Sequence, residues 1–269
     1  VYVGAFVMLL FILGLFVVKG PMKWALLCCT VLSILLAWGK NFMPLTDFFL
    51  DYIPMYAKFR TVASILVIAE FTIPLLAVMA LKKIIDDPTV LEKKMRWVWV
   101  SFELTGGFCV LFALMPNVFF SDFISSSEMQ QFNEISKQGA EAAAYMQGFE
   151  ANLRTVRESI FTADCWRSFG VILVGMAFLL LYKYRKLSAQ FMVGGIAVLC
   201  LLDMWLVDKR YLNDDMFVEK SARDLPQPKT AADEYILQDK SLDYRVLNFA
   251  SNTFNENETS YYHKSIGGY

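Results

Sequence analysis

The segment with the densest set of chemically useful side chains is GKNFMPLTDFFLDYIPMYAKFR, residues 39–60. Asp47 and Asp51 are four residues apart, so a helical turn places both carboxylates on one face. Lys40 and Arg60 lie at its two ends, with aromatic residues between them. Such a set suits a phosphate-bearing lipid or a sugar, with a carboxylate as the candidate catalytic base. An aromatic belt with charged anchors at the lipid headgroups explains the same residues, and both interpretations stay open here.

Glu70 and Glu103 are acidic residues inside otherwise apolar stretches. An ionisable side chain at membrane depth costs about 3 kcal/mol, so each one marks a candidate intramembrane site. Pro74 deprives the carbonyl of Glu70 of its helical donor, and Gly106 and Gly107 share a helical face with Glu103. We predict that Glu70 faces the bundle and that the two helices pack through these faces. Two carboxylates there would need a cation or a shared proton, although a packing role for each explains them equally well.

His263, the single histidine, and the adjacent Lys264 are secondary candidates for substrate binding. A lone histidine is more often structural than catalytic, and no Ser/His/Asp set, phosphate-binding loop or metal-ligand spacing accompanies it. The sequence therefore predicts no metal site and no cofactor, and only a divalent cation stays open. The five cysteines form no CxxC pair and lie in or beside apolar stretches, so we expect buried free thiols.

Six apolar blocks must position these residues. Of the 269 residues, 57% are hydrophobic, and the 19% that are charged lie between the blocks. The blocks cover residues 3–18, 22–38, 61–81, 97–115, 165–182 and 188–207. A helix that spans a bilayer needs about 20 residues, so we predict an all-α integral membrane bundle of about six transmembrane helices in contact with lipid. The net charge of −1 gives no sign of a nucleic-acid partner.

Lys and Arg residues are concentrated in the connections that follow the first, third and fifth blocks. These connections fall on one side of the membrane if every block spans once, and the positive-inside rule places them in the cytoplasm. The connections 39–60 and 116–164 and the tail from Asp208 then lie outside. The sequence thus predicts a transmembrane region 1–207, with an outer helical insertion 116–164, and an extracytoplasmic tail 208–269.

The two long outer segments carry structural signals of their own. In the first, an apolar stripe with alternating three- and four-residue spacing predicts an amphipathic helix that covers the outer end of the bundle. The stripe consists of Met146, Phe149, Leu153, Val156 and Ile160. Residues 125–128 predict the N-terminal cap of a preceding helix. In the tail, residues 233–238 are typical of a helix and residues 244–249 of a strand, which predicts the start of a small α/β tail.

Three phrases of the chain resemble the bacterial YfhO membrane protein family. They are the 39–60 segment with the helix that follows it, LLDMWLVDKRYLNDDMF, and YRVLNFASNTFNENETSYYHKSIGGY. The resemblance covers nearly the whole chain but only the middle to later part of a family member. It implies a GT-C-type glycosyltransferase that moves a sugar from a polyprenyl-phosphate donor to a cell-envelope acceptor, on the outer face of the bacterial cytoplasmic membrane.

The resemblance also implies that the acidic catalytic residue of such enzymes lies in a first outer loop near the N-terminus. The chain starts at Val1 directly in apolar sequence, and we expect both of its ends to be cuts in a longer protein. Asp47 and Asp51 therefore do not simply inherit that role, and the fragment alone is expected to be inactive. The sugar and its acceptor stay unspecified.

Two other functions compete with glycosyl transfer. A transporter or flippase would use Glu70 and Glu103 in a polar path, and it should show broken helices or inverted repeats. A non-catalytic scaffold for envelope assembly is the other alternative. The resemblance favours the glycosyltransferase, in which Lys40 and Arg60 would meet the lipid phosphate.

Overall fold

The computed structural model describes residues 2–58, 61–120, 123–137, 139–217, 228–241, 243–252 and 256–267. The chain divides into two compact units, Val1–Tyr211 and Leu212–Tyr269, which we call the helical unit and the tail unit. All regular structure in the described residues is helical, so the predicted all-α fold is confirmed. The predicted α/β tail is not, because strand-like residues 244–249 contribute only an isolated parallel bridge between Val246 and Ser265.

The helices vary widely in length. They are α1 Ala5–Val17, α2 Met22–Ala37, α3 Met43–Tyr52, α4 Val67–Asp86, α5 Thr89–Lys93, α6 Met95–Phe102, α7 Phe108–Leu114, α8 Pro116–Phe119, α9 Ser126–Ser136, α10 Ala140–Lys183, α11 Ala189–Tyr211 and α12 Ala231–Ile236. Short 3₁₀ turns cover Gly39–Phe42, Tyr56–Lys58, Val62–Leu66, Asp214–Met216 and Glu258–Tyr261, and a π turn, Glu103–Gly107, joins α6 to α7.

Four helical stretches in the described residues are long and apolar enough to cross a membrane. They are Val62–Asp86, Met95–Leu114, Ala140–Lys183 and Ala189–Tyr211. A fifth candidate is α2 together with Gly39–Tyr52, which is bent by 107° and forms either a broken span or a re-entrant loop. These helices indicate a membrane protein. The described residues contain four or five candidate spans, whereas the sequence predicted about six.

The first apolar block accounts for part of this difference. Its helix, α1, has only 13 residues and is about 20 Å long, whereas the hydrocarbon core of a bilayer is about 30 Å thick. Gly4, with φ of +93°, prevents the helix from beginning earlier. A run of apolar residues therefore overstated the length of the helix that it forms.

Although short, α1 is the centre of the helical unit. Phe6, Leu9 and Leu13 are fully buried, and α4, α6, α10 and α11 pack around the helix. The apolar residues of α1 surround it on every side, which is typical of a helix enclosed by other helices. The helical unit is therefore built from helices that pack around α1.

Glycines allow two of the helix pairs to approach closely. Gly175 of α10 lies directly against the ring of Phe6 in α1, and a Cβ atom on Gly195 of α11 would lie 2.6 Å from the ring of Phe178 in α10. Lipid tails are as apolar as most side chains, so membrane helices depend on close packing at such small residues.

Helix α10 unites two features that the sequence separated. The amphipathic stripe and the fifth apolar block belong to one helix of 44 residues, about 66 Å long. The expected separate cover over the bundle is therefore wrong. The predicted cap at Ser125 is confirmed, since Ser125 and Glu128 form a capping box at the start of α9. Helix α9 runs back along α10, where Glu128 forms an ion pair with Arg157 at 2.7 Å.

Candidate functional site

A buried carboxylate holds the start of α1 in place. Asp203 of α11 has a side chain that is only 1% exposed. It accepts hydrogen bonds from Tyr2 Oη at 2.7 Å, from the backbone N–H of Ala5 at 2.9 Å and from Arg167 Nη1 at 2.6 Å. Ala5 is the first residue of α1, so Asp203 supplies the cap that Gly4 has no side chain to provide.

The contacts of Arg167 continue to the surface of the helical unit. Its Nε lies 3.4 Å from Asp164 Oδ1, and Arg210 Nη2 lies 2.6 Å from the same oxygen. The side chains of Asp164 and Arg210 are 35% and 45% exposed. Two cations thus balance two carboxylates along a path from water to the buried end of α1. We call these four residues and Tyr2 the α1 cap network.

Tyr2 remains a neutral hydrogen-bond donor within this network. Burial, followed by the hydrogen bond to Asp203, raises its pKa to about 12. The guanidinium carbon of Arg167 also lies 5.4 Å from the centre of the Tyr2 ring, within range of a cation–π contact. The phenol therefore joins the network without adding a charge.

A largely apolar cavity of about 570 Å³ begins beside this network, between α1, α2, α4, α7 and α10. Tyr2 and Trp38 line it, together with Cys109 and with apolar side chains such as Met8 and Ile172. Its volume falls within the 300–1,000 Å³ that is usual for small-molecule sites. An elongated apolar group with one polar end would suit this apolar cavity.

The 39–60 segment lines a second cavity, of about 410 Å³, which we call the loop cavity. The residues of this segment that line it are Thr46, Leu50 and Tyr56. The hydroxyl oxygen of Tyr56 is buried and has no hydrogen-bond partner in the described residues. Asp47 and Asp51 lie one turn apart on α3, as predicted, but both are exposed and neither lines the cavity.

Of the two cations predicted to bind phosphate in this segment, the structure describes only Lys40. Lys40 is exposed in the turn Gly39–Phe42 and forms no ion pair with the described residues. It follows Trp38, which lines the apolar cavity, by two residues. Arg60 lies outside the described residues.

The prediction that Glu70 faces the bundle is wrong. Helix α4 packs on α1 and α2 through a face that contains Ala69, Ile73 and Ala77, while Glu70 is exposed. The bundle-facing polar contact on α4 is instead Thr72, whose hydroxyl oxygen lies 2.7 Å from that of Thr30 in α2. Helical spacing did not predict which side of the helix α1 covers.

Glu103 and Glu70 are not brought together. Glu103 begins the π turn and is exposed, and this turn packs on α10 and α1 rather than on α4. Gly106, in the same turn, is buried against Phe169 and Ile172 of α10. Gly106 thus serves packing, whereas Gly107 is exposed on the same side as Glu103.

The tail unit contains a carboxylate–histidine pair. The side chain of His263 is 1% exposed, and its Nε2 lies 2.8 Å from Asp233 Oδ1. Asp233 also accepts hydrogen bonds from the hydroxyl and backbone N–H of Thr230, which closes a capping box on α12. These bonds, the Thr230 hydroxyl first, lower the pKa of Asp233 below its usual value. Lys264, the neighbouring candidate, is exposed.

Neither the α1 cap network nor the partner of His263 was predicted. Arg167 and Asp203 are opposite charges inside the last two apolar blocks, and such charges usually pair within a membrane bundle. That signal was present in the sequence. The pairing of His263 with Asp233 spans thirty residues and has no comparable local pattern. The expected burial of the thiols holds for Cys165, whereas Cys28 and Cys29 are exposed.

A comparison with protein-family models, curated proteins and solved structures found no match to the chain.

Proposed function

We propose that the chain forms the lipid-binding part of a glycosyltransferase that takes a sugar from a polyprenyl-phosphate donor at the extracytoplasmic face of a bacterial cytoplasmic membrane. The apolar cavity is the observation that carries this proposal. It lies within a membrane bundle and starts beside polar groups at the end of α1. A prenyl chain has the shape and polarity to occupy it, with the phosphate outside.

Lys40 is the residue best placed to meet that phosphate. The arginines of the α1 cap network are already paired with carboxylates, so they offer little excess positive charge. Lys40 is exposed and lies two residues beyond the cavity residue Trp38. An ammonium group at this position would attract a phosphate as a point charge. Asp47 and Asp51, on the helix that follows, remain the candidates for the base.

Cys109 provides a direct test, because its thiol lines the apolar cavity. In a variant that keeps Cys109 as its only cysteine, we expect undecaprenyl phosphate to slow alkylation by N-ethylmaleimide. The rate should fall about tenfold at a lipid concentration about ten times its Kd. A matched variant that keeps only the exposed Cys28 should be alkylated at the same rate with and without the lipid. The rate is measured by mass spectrometry of the purified chain in detergent.

Two further comparisons in the same alkylation experiment identify the ligand. Lys40→Gln should weaken protection by undecaprenyl phosphate but not by undecaprenol, since only the former carries charge. Dioleoyl phosphatidate at the same concentration should protect poorly. Equal alkylation of Cys109 with and without undecaprenyl phosphate would overturn the proposed site. Retention of sugar transfer after full alkylation of Cys109, in the protein as it exists in its membrane, would overturn the proposed function.

A transporter or flippase is the second candidate. The bend of 107° between α2 and Gly39–Tyr52 favours it, because discontinuous helices are frequent at transporter substrate sites. The separation of Glu70 from Glu103 argues against the polar path on which this function would depend. Movement of a fluorescent polyprenyl phosphate across proteoliposomes, without transfer of its sugar, would favour the flippase.

The proposed orientation is tested separately. Exposed residues Lys93 and Glu141 lie in connections that the positive-inside rule assigns to opposite sides. In single-cysteine variants Lys93→Cys and Glu141→Cys, we expect a membrane-impermeant maleimide added to intact cells to label position 141 and not position 93. Both positions should be labelled after the cells are opened. The reverse pattern in intact cells would invert the topology.

A further inference from the structure

The tail unit contains a cavity of about 530 Å³ that includes His263 and Asp233 among its lining residues. This tail cavity is formed by α12, by the segment after Val246 and by the turn Glu258–Tyr261. All of its described lining residues belong to the tail unit, so this cavity shares no residue with the lipid site.

The hydrogen bonds of Asp233 determine which nitrogen of His263 is available. Asp233 accepts three hydrogen bonds from Thr230 and His263, an arrangement that favours an ionised carboxylate. A carboxylate only accepts hydrogen bonds, so His263 Nε2 must carry a proton, and in the neutral imidazole Nδ1 then holds the lone pair. Nδ1 is buried and has no hydrogen-bond partner among the described residues.

A buried acceptor without a partner is unfavourable, and a hydrogen bond from a ligand hydroxyl would remove that cost. The carboxylate behind the imidazole also fixes the ring and raises the strength of Nδ1 as an acceptor. Because His263 lines the cavity and its Nδ1 lacks a partner among the described residues, a ligand in the cavity is the natural source of that donor.

The remaining lining residues indicate the class of ligand. Asn248, Ser251 and Thr259 provide neutral donors and acceptors, and Tyr262 provides an aromatic ring. Asp233 and Glu258 are acidic, whereas none of the described lining residues is Lys or Arg. This balance disfavours phosphates and carboxylates and favours an uncharged ligand rich in hydroxyl groups.

We propose that the tail cavity binds a saccharide, one hydroxyl of which donates a hydrogen bond to His263 Nδ1 while Asp233 holds Nε2. The volume of the cavity accommodates one or two sugar rings. Lys229 Nζ lies 5.2 Å from the centre of the Tyr262 ring, so a sugar would stack on the other face of that ring. In contrast with the apolar cavity, this site needs no lipid.

The single histidine makes the site measurable in the full chain. With a purification tag that lacks histidine, ¹⁵N-labelled histidine gives one pair of ring signals in detergent. We expect these signals to report a neutral ring with the proton on Nε2. Addition of methyl α-glucoside, methyl α-mannoside or N-acetylglucosamine should shift Nδ1 and slow the modification of His263 by diethyl pyrocarbonate. Inorganic phosphate should do neither.

Asp233→Asn tests the role of the carboxylate, because Thr230 remains the N-cap of α12 in this variant. We expect it to weaken saccharide binding about tenfold, since the hydrogen bond to a charged partner is lost. Asp239→Asn is the matched control, because Asp239 lies in the tail unit but does not line this cavity. Protonation at Nδ1, or no response to any of the three sugars in the wild-type chain, would overturn the proposal. Protection of Cys109 by undecaprenyl phosphate should be unchanged in both variants, so the two proposals can fail separately.

Discussion

Asp203→Ala is expected to lower the free energy of unfolding of the helical unit by about 3–5 kcal/mol, the usual cost of leaving one partner of a buried ion pair alone. The substitution removes three hydrogen bonds at once. It leaves the guanidinium of Arg167, whose side chain is 18% exposed, with only its weaker contacts to Asp164 and to the Tyr2 ring. It also removes the cap from the N-terminus of α1.

Two companion variants separate charge from position. Asp164→Ala removes a carboxylate whose side chain is 35% exposed, and we expect a loss of only about 1 kcal/mol because water screens this pair. The double variant Asp203→Leu with Arg167→Met should regain much of the loss, since no buried charge is then left alone. Unfolding is followed by denaturant titration in detergent micelles. A loss for Asp203→Ala no greater than that for Asp164→Ala would refute the structural role of Asp203.

Gly175→Ala is expected to destabilise the helical unit by about 1–3 kcal/mol through overpacking of its core. The added methyl group would overlap the ring of Phe6, which is 1% exposed and cannot move without disturbing α1. Gly170→Ala is the matched control on the same helix, because a Cβ atom there meets nothing within 4 Å. This control should be neutral or stabilising by up to about 1 kcal/mol, since alanine is the better helix former.

The adjacent glycines of α11 repeat the comparison. A Cβ atom on Gly195 would meet the ring of Phe178, whereas one on Gly194 would meet nothing within 4 Å. Gly195→Ala should therefore lower the midpoint of thermal unfolding, and Gly194→Ala should not. Equal midpoints for each pair of variants would show that these helices approach less closely than described.

Apolar runs and charges predicted much of the helical unit, because a lipid environment requires helices with few internal charges. Length was less predictable, since α1 begins only after Gly4, and α2 ends at a bend of 107° before Gly39–Tyr52. The sequence also did not predict which side of each helix is buried. Glu70 and Ala69 are neighbours, and only the packing of α1 decides that Ala69 is covered.

For the candidate sites, α3 places Asp47 and Asp51 one turn apart, the arrangement that their four-residue spacing allows. The residues of α3 that line the loop cavity are instead Thr46 and Leu50. The importance of Asp203 comes from α1, whose first residue, Ala5, lies 198 residues earlier in the chain. A charge inside an apolar block indicates that it has a buried partner, but it does not identify a contact over such a sequence distance.

That distance has a consequence for biosynthesis. At about 5–20 residues per second, some 10–40 s separate the emergence of Ala5 from that of Asp203 at the ribosome. During this interval α1 is too short to cross the bilayer and has no carboxylate at its N-terminus. The carboxylate that caps α1 thus comes from α11, which is translated after every other described helix of the helical unit. This order makes the completion of the α1 cap network a late event in the assembly of that unit.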